Sequence, residues 1–194
     1  MREHESAERI KAVSMKLFND KGYEATTIRD ICNQIGITAP SFYYYFDSKE
    51  QLYLQMIQES SALHQEALTQ AIDECPSQIA EDRLKFIFQA LIGFYQEHPE
   101  AYTFLLRNTL FPVAGIKEKI RERSNIWKHQ FSEQIANFLA SSQKRRLPKM
   151  EQMALIKGFH RFIVGYMLQL ISGITDNSNE MAEEAWHQYW RGIS

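Results

Sequence analysis

Three observations predict an all-α fold. The chain is poor in Val and rich in Leu, Ile, Gln, Glu and Lys, residues most of which lose little rotamer freedom on entering a helix. No stretch shows the period-two alternation of a half-buried strand. Apolar residues recur instead at three and four in blocks bounded by capping residues, Gly or Pro. With 194 residues, 44% of them apolar and 24% charged, the chain is long enough for one sizeable domain or a small one joined to a larger.

The elements follow in order. A first helix is expected from about Ser6 to Asp20, with Ile10, Val13, Leu17 and Phe18 on one face and Lys21-Gly22 ending it. A second opens at Thr27, whose hydroxyl and Asp30 three residues on have the spacing of a capping box. Ile28, Ile31, Cys32 and Ile35 form its apolar side, and Gly36 supplies the left-handed residue a helix end favours. Thr38 caps a third helix with Pro40 in its first turn, where a missing N–H costs nothing. Phe46-Asp47 close it. Ser48, with Gln51 three on, caps a long fourth helix that Pro76 stops. Further helices are expected over 78–97, 100–110, 116–141, 149–172 and 179–191, about nine in all, with 141–148 (SSQKRRLP) as the clearest loop.

Helix, short turn, helix over 27–46 is the geometry that lays a second helix in the DNA major groove. Five consecutive aromatics, Phe42 to Phe46, point all round such a helix, so at least two of them face outward. The charge is less typical of a DNA binder. Net charge is −2, and residues 1–50 hold seven Lys/Arg against eight Asp/Glu, or −1. Without a basic footprint, binding must rest on a few placed cations, hydroxyls and helix N-termini.

Cys32 and Cys75 lie in no metal-ligand pattern and fit a reducing compartment. The charged N-terminus has no signal-peptide core, and 162–174 is too short to span a bilayer, so a soluble cytoplasmic protein is expected. No metal, cofactor or catalytic constellation is expected. Glu184-Ala185-Trp186-His187 has the spacing of half a di-iron site but no second copy, and neither a phosphate loop nor a nucleophile motif occurs. A metalloenzyme is the weaker alternative, and a helical adaptor with a protein-binding head the stronger one.

The stretch from Leu17 to Leu52 resembles the TetR family, that of the tetracycline repressor. The segments LFNDKGYEATT, IRDICNQIGI and TAPSFYYYFDSKEQL match in order and spacing. The resemblance implies a helix-turn-helix DNA-binding domain over 1–48 and a ligand-binding and dimerisation body over 49–194. It further implies a homodimeric repressor on a palindromic operator, released by a small effector. Carried over by position, Thr27 and Arg29 face the phosphate backbone and Thr38, Ala39, Pro40 and Ser41 open the recognition helix. Tyr43, Tyr44 and Tyr45 follow on it, and Lys49 contacts a phosphate. Ala39 and Pro40 lack the side-chain donors many members carry there. Base reading would then lean on thymine methyls, on Ser41 and Tyr44, and on DNA shape. Phe42 and Phe46 are expected to close the core against Leu17, Ile31 and Ile35.

Two assignments concern the body. Its aromatics are ordinary core at helical spacing, yet a helical body this rich in them can line a cavity. The expected lining is Phe88, Tyr95, Tyr102, Asn108, Trp127, Phe131, Phe159 and His160, for an apolar or aromatic effector. The helix over 149–172 is apolar on most of its circumference and must be covered on two sides. Gly158 and Gly165 on one face, with Phe162, Gln169, Trp186 and Tyr189, supply an expected two-fold dimer interface. The plainer alternative is the central core helix of a monomer.

Overall fold

The computed structural model describes residues 2–140 and 148–192, the side chains of 2–3 and 123–130 excepted. Among the described residues the chain is helical without strands: α1 (Arg2–Lys21), α2 (Ile28–Ile35), α3 (Ala39–Tyr45), α4 (Lys49–Glu74), α5 (Ala80–Glu97), α6 (Pro99–Leu110), a 3-10 turn (Ala114–Ile116), α7 (Lys117–Ala140), α8 (Lys149–Ile171) and α9 (Asn179–Arg191). The expected order is met element by element. Differences are at ends: α1 starts at Arg2, and α5 starts at Ala80, where the Ser77 hydroxyl caps Ile79 N–H and bonds Asp82. The expected loop over 141–148 lies outside the described residues except for Pro148.

The chain forms two compact units. The first takes Met1–Leu63 with His98–Ile126, and the second His64–Glu97 with Trp127–Ser194. The first is thus larger than the 1–48 head and includes α6 and the start of α7. Its core joins Ile10, Leu17, Phe18, Ile31, Phe42, Phe46, Leu52, Tyr53, Met56, Phe104 and Ile120. Phe18 meets Tyr53 edge-on at 4.8 Å, and Tyr53 meets Phe104 at 4.9 Å and Tyr23 at 4.7 Å. Such ring pairs add to the area they bury. A buried polar line crosses the same place. The Tyr53 hydroxyl donates to Asn108 Oδ1 at 2.8 Å, and Asn108 Nδ2 donates to Phe104 O at 2.8 Å. Burial pushes the Tyr53 phenol up to about 12.

The second unit packs α5 with α8 and α9 around Leu84, Ile87, Phe88, Leu91, Phe159, Ile163, Tyr166, Met167 and Trp186. Phe88 lies 4.8 Å from Phe162 and 5.0 Å from Tyr166, and Phe162 stacks on Tyr189 at 4.4 Å. Arg83 is 4% exposed and is held by several partners. It donates to Ser77 O, Gln78 Oε1 and Phe138 O and lies over the Phe138 ring.

Candidate nucleic-acid interface

The helix-turn-helix is set by its own caps. Thr27 Oγ1 accepts from Asp30 N–H at 3.0 Å, and Asp30 Oδ2 accepts from Thr27 N–H at 3.0 Å. Those bonds, the backbone one foremost, hold the Asp30 carboxyl below its ordinary range. Gly36 ends α2 at φ 78°, with its N–H on Cys32 O; at that φ a Cβ is strained. Thr38 caps α3 through Ser41 N–H, and its hydroxyl lies 2.9 Å from that of Ser41. Pro40 sits in the first turn, as its missing donor permits.

The aromatic run divides as the periodicity requires. Phe42 and Phe46 are buried in the unit's core with Leu17 and Ile31, and Ile35 packs on the same cluster. Tyr43 is 52% and Tyr44 67% exposed. Tyr45 is half-buried against the core and meets Tyr44 edge-on at 5.0 Å. Thr27, Arg29, Thr38, Ala39 and Pro40 are exposed and Ser41 half-exposed. An outward face of hydroxyls, rings and methyl or methylene groups results, with Arg29 as its cation.

Lys49 is differently placed. Its Nζ donates to Tyr23 O at 2.7 Å and Thr26 O at 2.8 Å and lies 4.1 Å over the Tyr23 ring. Two of its three protons hold the turn between α1 and α2, which leaves at most one for a phosphate. Sequence pattern alone could not show this, because both acceptors are backbone carbonyls.

The expected effector lining is not brought together in one unit. Tyr102 and Asn108 belong to the first, and Phe88, Tyr95, Trp127, Phe131, Phe159 and His160 to the second. Asn108 is buried, with its amide bonded to Tyr53 and Phe104 O. Phe131 and His160 do meet, ring centres 5.8 Å apart. The Trp127 side chain lies outside the described residues. A cavity of about 610 Å³ runs along α4, lined by Glu50, Gln51, Leu54, Gln55, Gln58 and Glu59 among others, none of them an expected lining residue.

The expected dimer face is partly corrected as well. Trp186 is 1% exposed within the single chain, so it has no surface to offer a partner. A Cβ on Gly158 would stand 3.7 Å from the Tyr189 hydroxyl, so that glycine lies against α9 of its own chain. Phe162 and Tyr189 stack on each other and are half-buried. Gly165 has open space before it, Gln169 is exposed, and Met153, Leu168 and Met181 are exposed apolar residues on α8 and α9.

Comparison with known proteins bears on the head most strongly. Residues 10–56 match the family described as bacterial regulatory proteins, tetR family. A 109-residue stretch, 56% of this chain, is 28% identical to the uncharacterised HTH-type transcriptional regulator YerO of Bacillus subtilis. A 44-residue stretch, 23% of this chain, is 43% identical to IcaR of Staphylococcus aureus, the HTH-type negative regulator of the biofilm operon icaADBC. These matches span 38% and 24% of those relatives. Whole-chain likeness is found among solved structures. NalD of Pseudomonas aeruginosa, secondary repressor of the MexAB-OprM multidrug efflux pump, superposes with a TM-score of 0.71 at 19% identity, over 99% of this chain and 97% of its own. A TetR-like regulator from Rhodococcus sp. RHA1 gives 0.71 at 21%, over 96% and 94%. At such identities these superpositions concern the fold.

Proposed function

We propose that the chain is a member of the TetR family, whose model matches residues 10–56, and a sequence-specific DNA-binding transcriptional regulator in the cytoplasm. It acts as a homodimer on a palindromic operator, and as a repressor that a small apolar or aromatic effector releases. Residues 1–48 supply the reading head, and 49–194 the body that dimerises and takes the effector. The observation that carries the reading is the outward pair Tyr43 and Tyr44 on a seven-residue helix whose other face closes a core. Exposed rings with terminal hydroxyls suit phosphate oxygens and base edges. Thr27, Arg29, Thr38, Ser41, Tyr45 and the third proton of Lys49 complete the polar contacts, and Ala39 and Pro40 face thymine methyls. No described helix is long and apolar enough to cross a membrane.

Few cations face outward from this head, so binding should depend only shallowly on salt, with a log–log slope of about −2 to −4. Selection of bound duplexes from a random pool by the full-length protein tests the proposal. Enrichment of an inverted repeat is expected. A pool that stays random contradicts DNA reading, and enrichment of a single unrepeated element contradicts the two-fold dimer. The effector arm is tested separately, by compounds that raise the melting temperature while weakening binding to the enriched site.

A further inference from the structure

We infer that Arg107, on α6, is a positioning residue for DNA reading. It straps the carbonyl end of α1 to α6 and so fixes the turn from which α2 springs. The inference rests on the DNA-reading proposal above.

A helix leaves its last carbonyls without intrahelical partners and carries a partial negative charge there. Arg107 Nη1 donates to Asn19 O at 2.7 Å and to Phe18 O at 3.3 Å, both in the last turn of α1. Asn19 returns the tie, its Nδ2 donating to Glu100 O at 3.0 Å at the start of α6. One residue of α1 is thereby bonded near both ends of α6. Gly22 makes room for the guanidinium, since a Cβ there would stand 3.2 Å from Arg107 Nη2. Its φ of 85° is the second reason for glycine at that position.

The same turn is held from another side. Lys49 of α4 takes Tyr23 O and Thr26 O, while the Thr26 hydroxyl bonds Gly22 O and Leu17 O. Two cations from two helices therefore grip the carbonyls of residues 18–26, directly before the Thr27 cap of α2. They are not equivalent. Lys49 is half-buried, whereas Arg107 is exposed, so water can replace Arg107 at its carbonyls at small cost in stability. What water cannot replace is the fixed distance from α6 to the end of α1. Loss of Arg107 should leave the fold standing and the reading head less well aimed.

The test uses full-length Arg107→Gln and Arg107→Lys. With Gln, affinity for the enriched duplex should fall about tenfold, with affinity for a scrambled duplex and the salt slope unchanged. Amide exchange over residues 20–27 should accelerate while the melting temperature barely moves. Lys keeps most of the affinity, because one ammonium can bond two carbonyls as Lys49 does. Equal losses on both duplexes with a shallower salt slope would make Arg107 a direct phosphate contact and overturn the inference. Unchanged discrimination would overturn it also. Should the unaltered protein discriminate no duplex, DNA reading fails. The strap is then judged by exchange alone, and unchanged rates over 20–27 in Arg107→Gln would refute it.

Discussion

The two compact units handle their interior polar groups in different ways. In the first, polar groups do geometric work: Thr26, Tyr53 and Asn108 are buried and bonded, and Lys49 and Arg107 hold backbone carbonyls of one turn. The Ser14 hydroxyl and one Asn19 oxygen are the exceptions among its described groups. In the second, Arg83 is buried and bonded, but the core against α8 and α9 is a nest of rings in which the Tyr166 hydroxyl, the Trp186 indole N–H and the Tyr189 hydroxyl are buried without a partner. Burial pushes the Tyr189 phenol up to about 12. A bonded polar core specifies one arrangement, because any other leaves a donor unmet. A ring-filled core tolerates several arrangements of similar energy. A reading head must present a fixed face to a duplex, whereas a body proposed to answer an effector benefits from packing that can yield.

The largest expected effect is in the second unit. Trp186→Ala removes the largest of its fully buried side chains and should cost about 3–5 kcal/mol in urea unfolding. A cost below about 1 kcal/mol would show that the aromatic nest is not a core. A pH series comes next. His64, also in the second unit, is buried against the Phe94 ring, and burial lowers its pKa to about 4 from an ordinary 6.5. The unfolded chain takes up this proton on falling below 6.5, and the folded chain only near 4. Stability present above pH 6.5 is therefore lost progressively as pH falls to about 4, by about 3 kcal/mol. His64→Gln should flatten that part of the profile, and an identical profile would assign the loss elsewhere.

The smallest effect is the sharpest on the comparison itself. Tyr53→Phe and Tyr166→Phe each delete one buried hydroxyl, the first bonded and the second not. The first should cost about 1–3 kcal/mol because it also strands Asn108 Oδ1, and the second should stay within about 0.5 kcal/mol. Equal costs would erase the distinction between the units.

The same distinction explains what the sequence made legible. Thr27 with Asp30, Gly36, and Thr38 before Pro40 each solve a local backbone problem that only a few residue types can solve, so their roles read directly. The inward turn of Phe42 and Phe46 and outward turn of Tyr43 and Tyr44 follow from helical period alone. In the body, periodicity says which side of a helix is covered and not by what. The cover of Trp186 is its own α5 and α8, and the partner of the Asn108 amide oxygen is Tyr53, neither of which periodicity can name. The carbonyl contacts of Lys49, Arg83 and Arg107 left no pattern, because an acceptor on the main chain has no sequence.

The central claim is that the outward tyrosine face of α3 reads DNA. It is tested most directly by fluorescence anisotropy of the enriched duplex with the unaltered protein and Tyr44→Ala, alongside melting temperature. The account predicts at least about tenfold weaker binding at an unchanged melting temperature. Unchanged affinity for that duplex, with the fold intact, would contradict it.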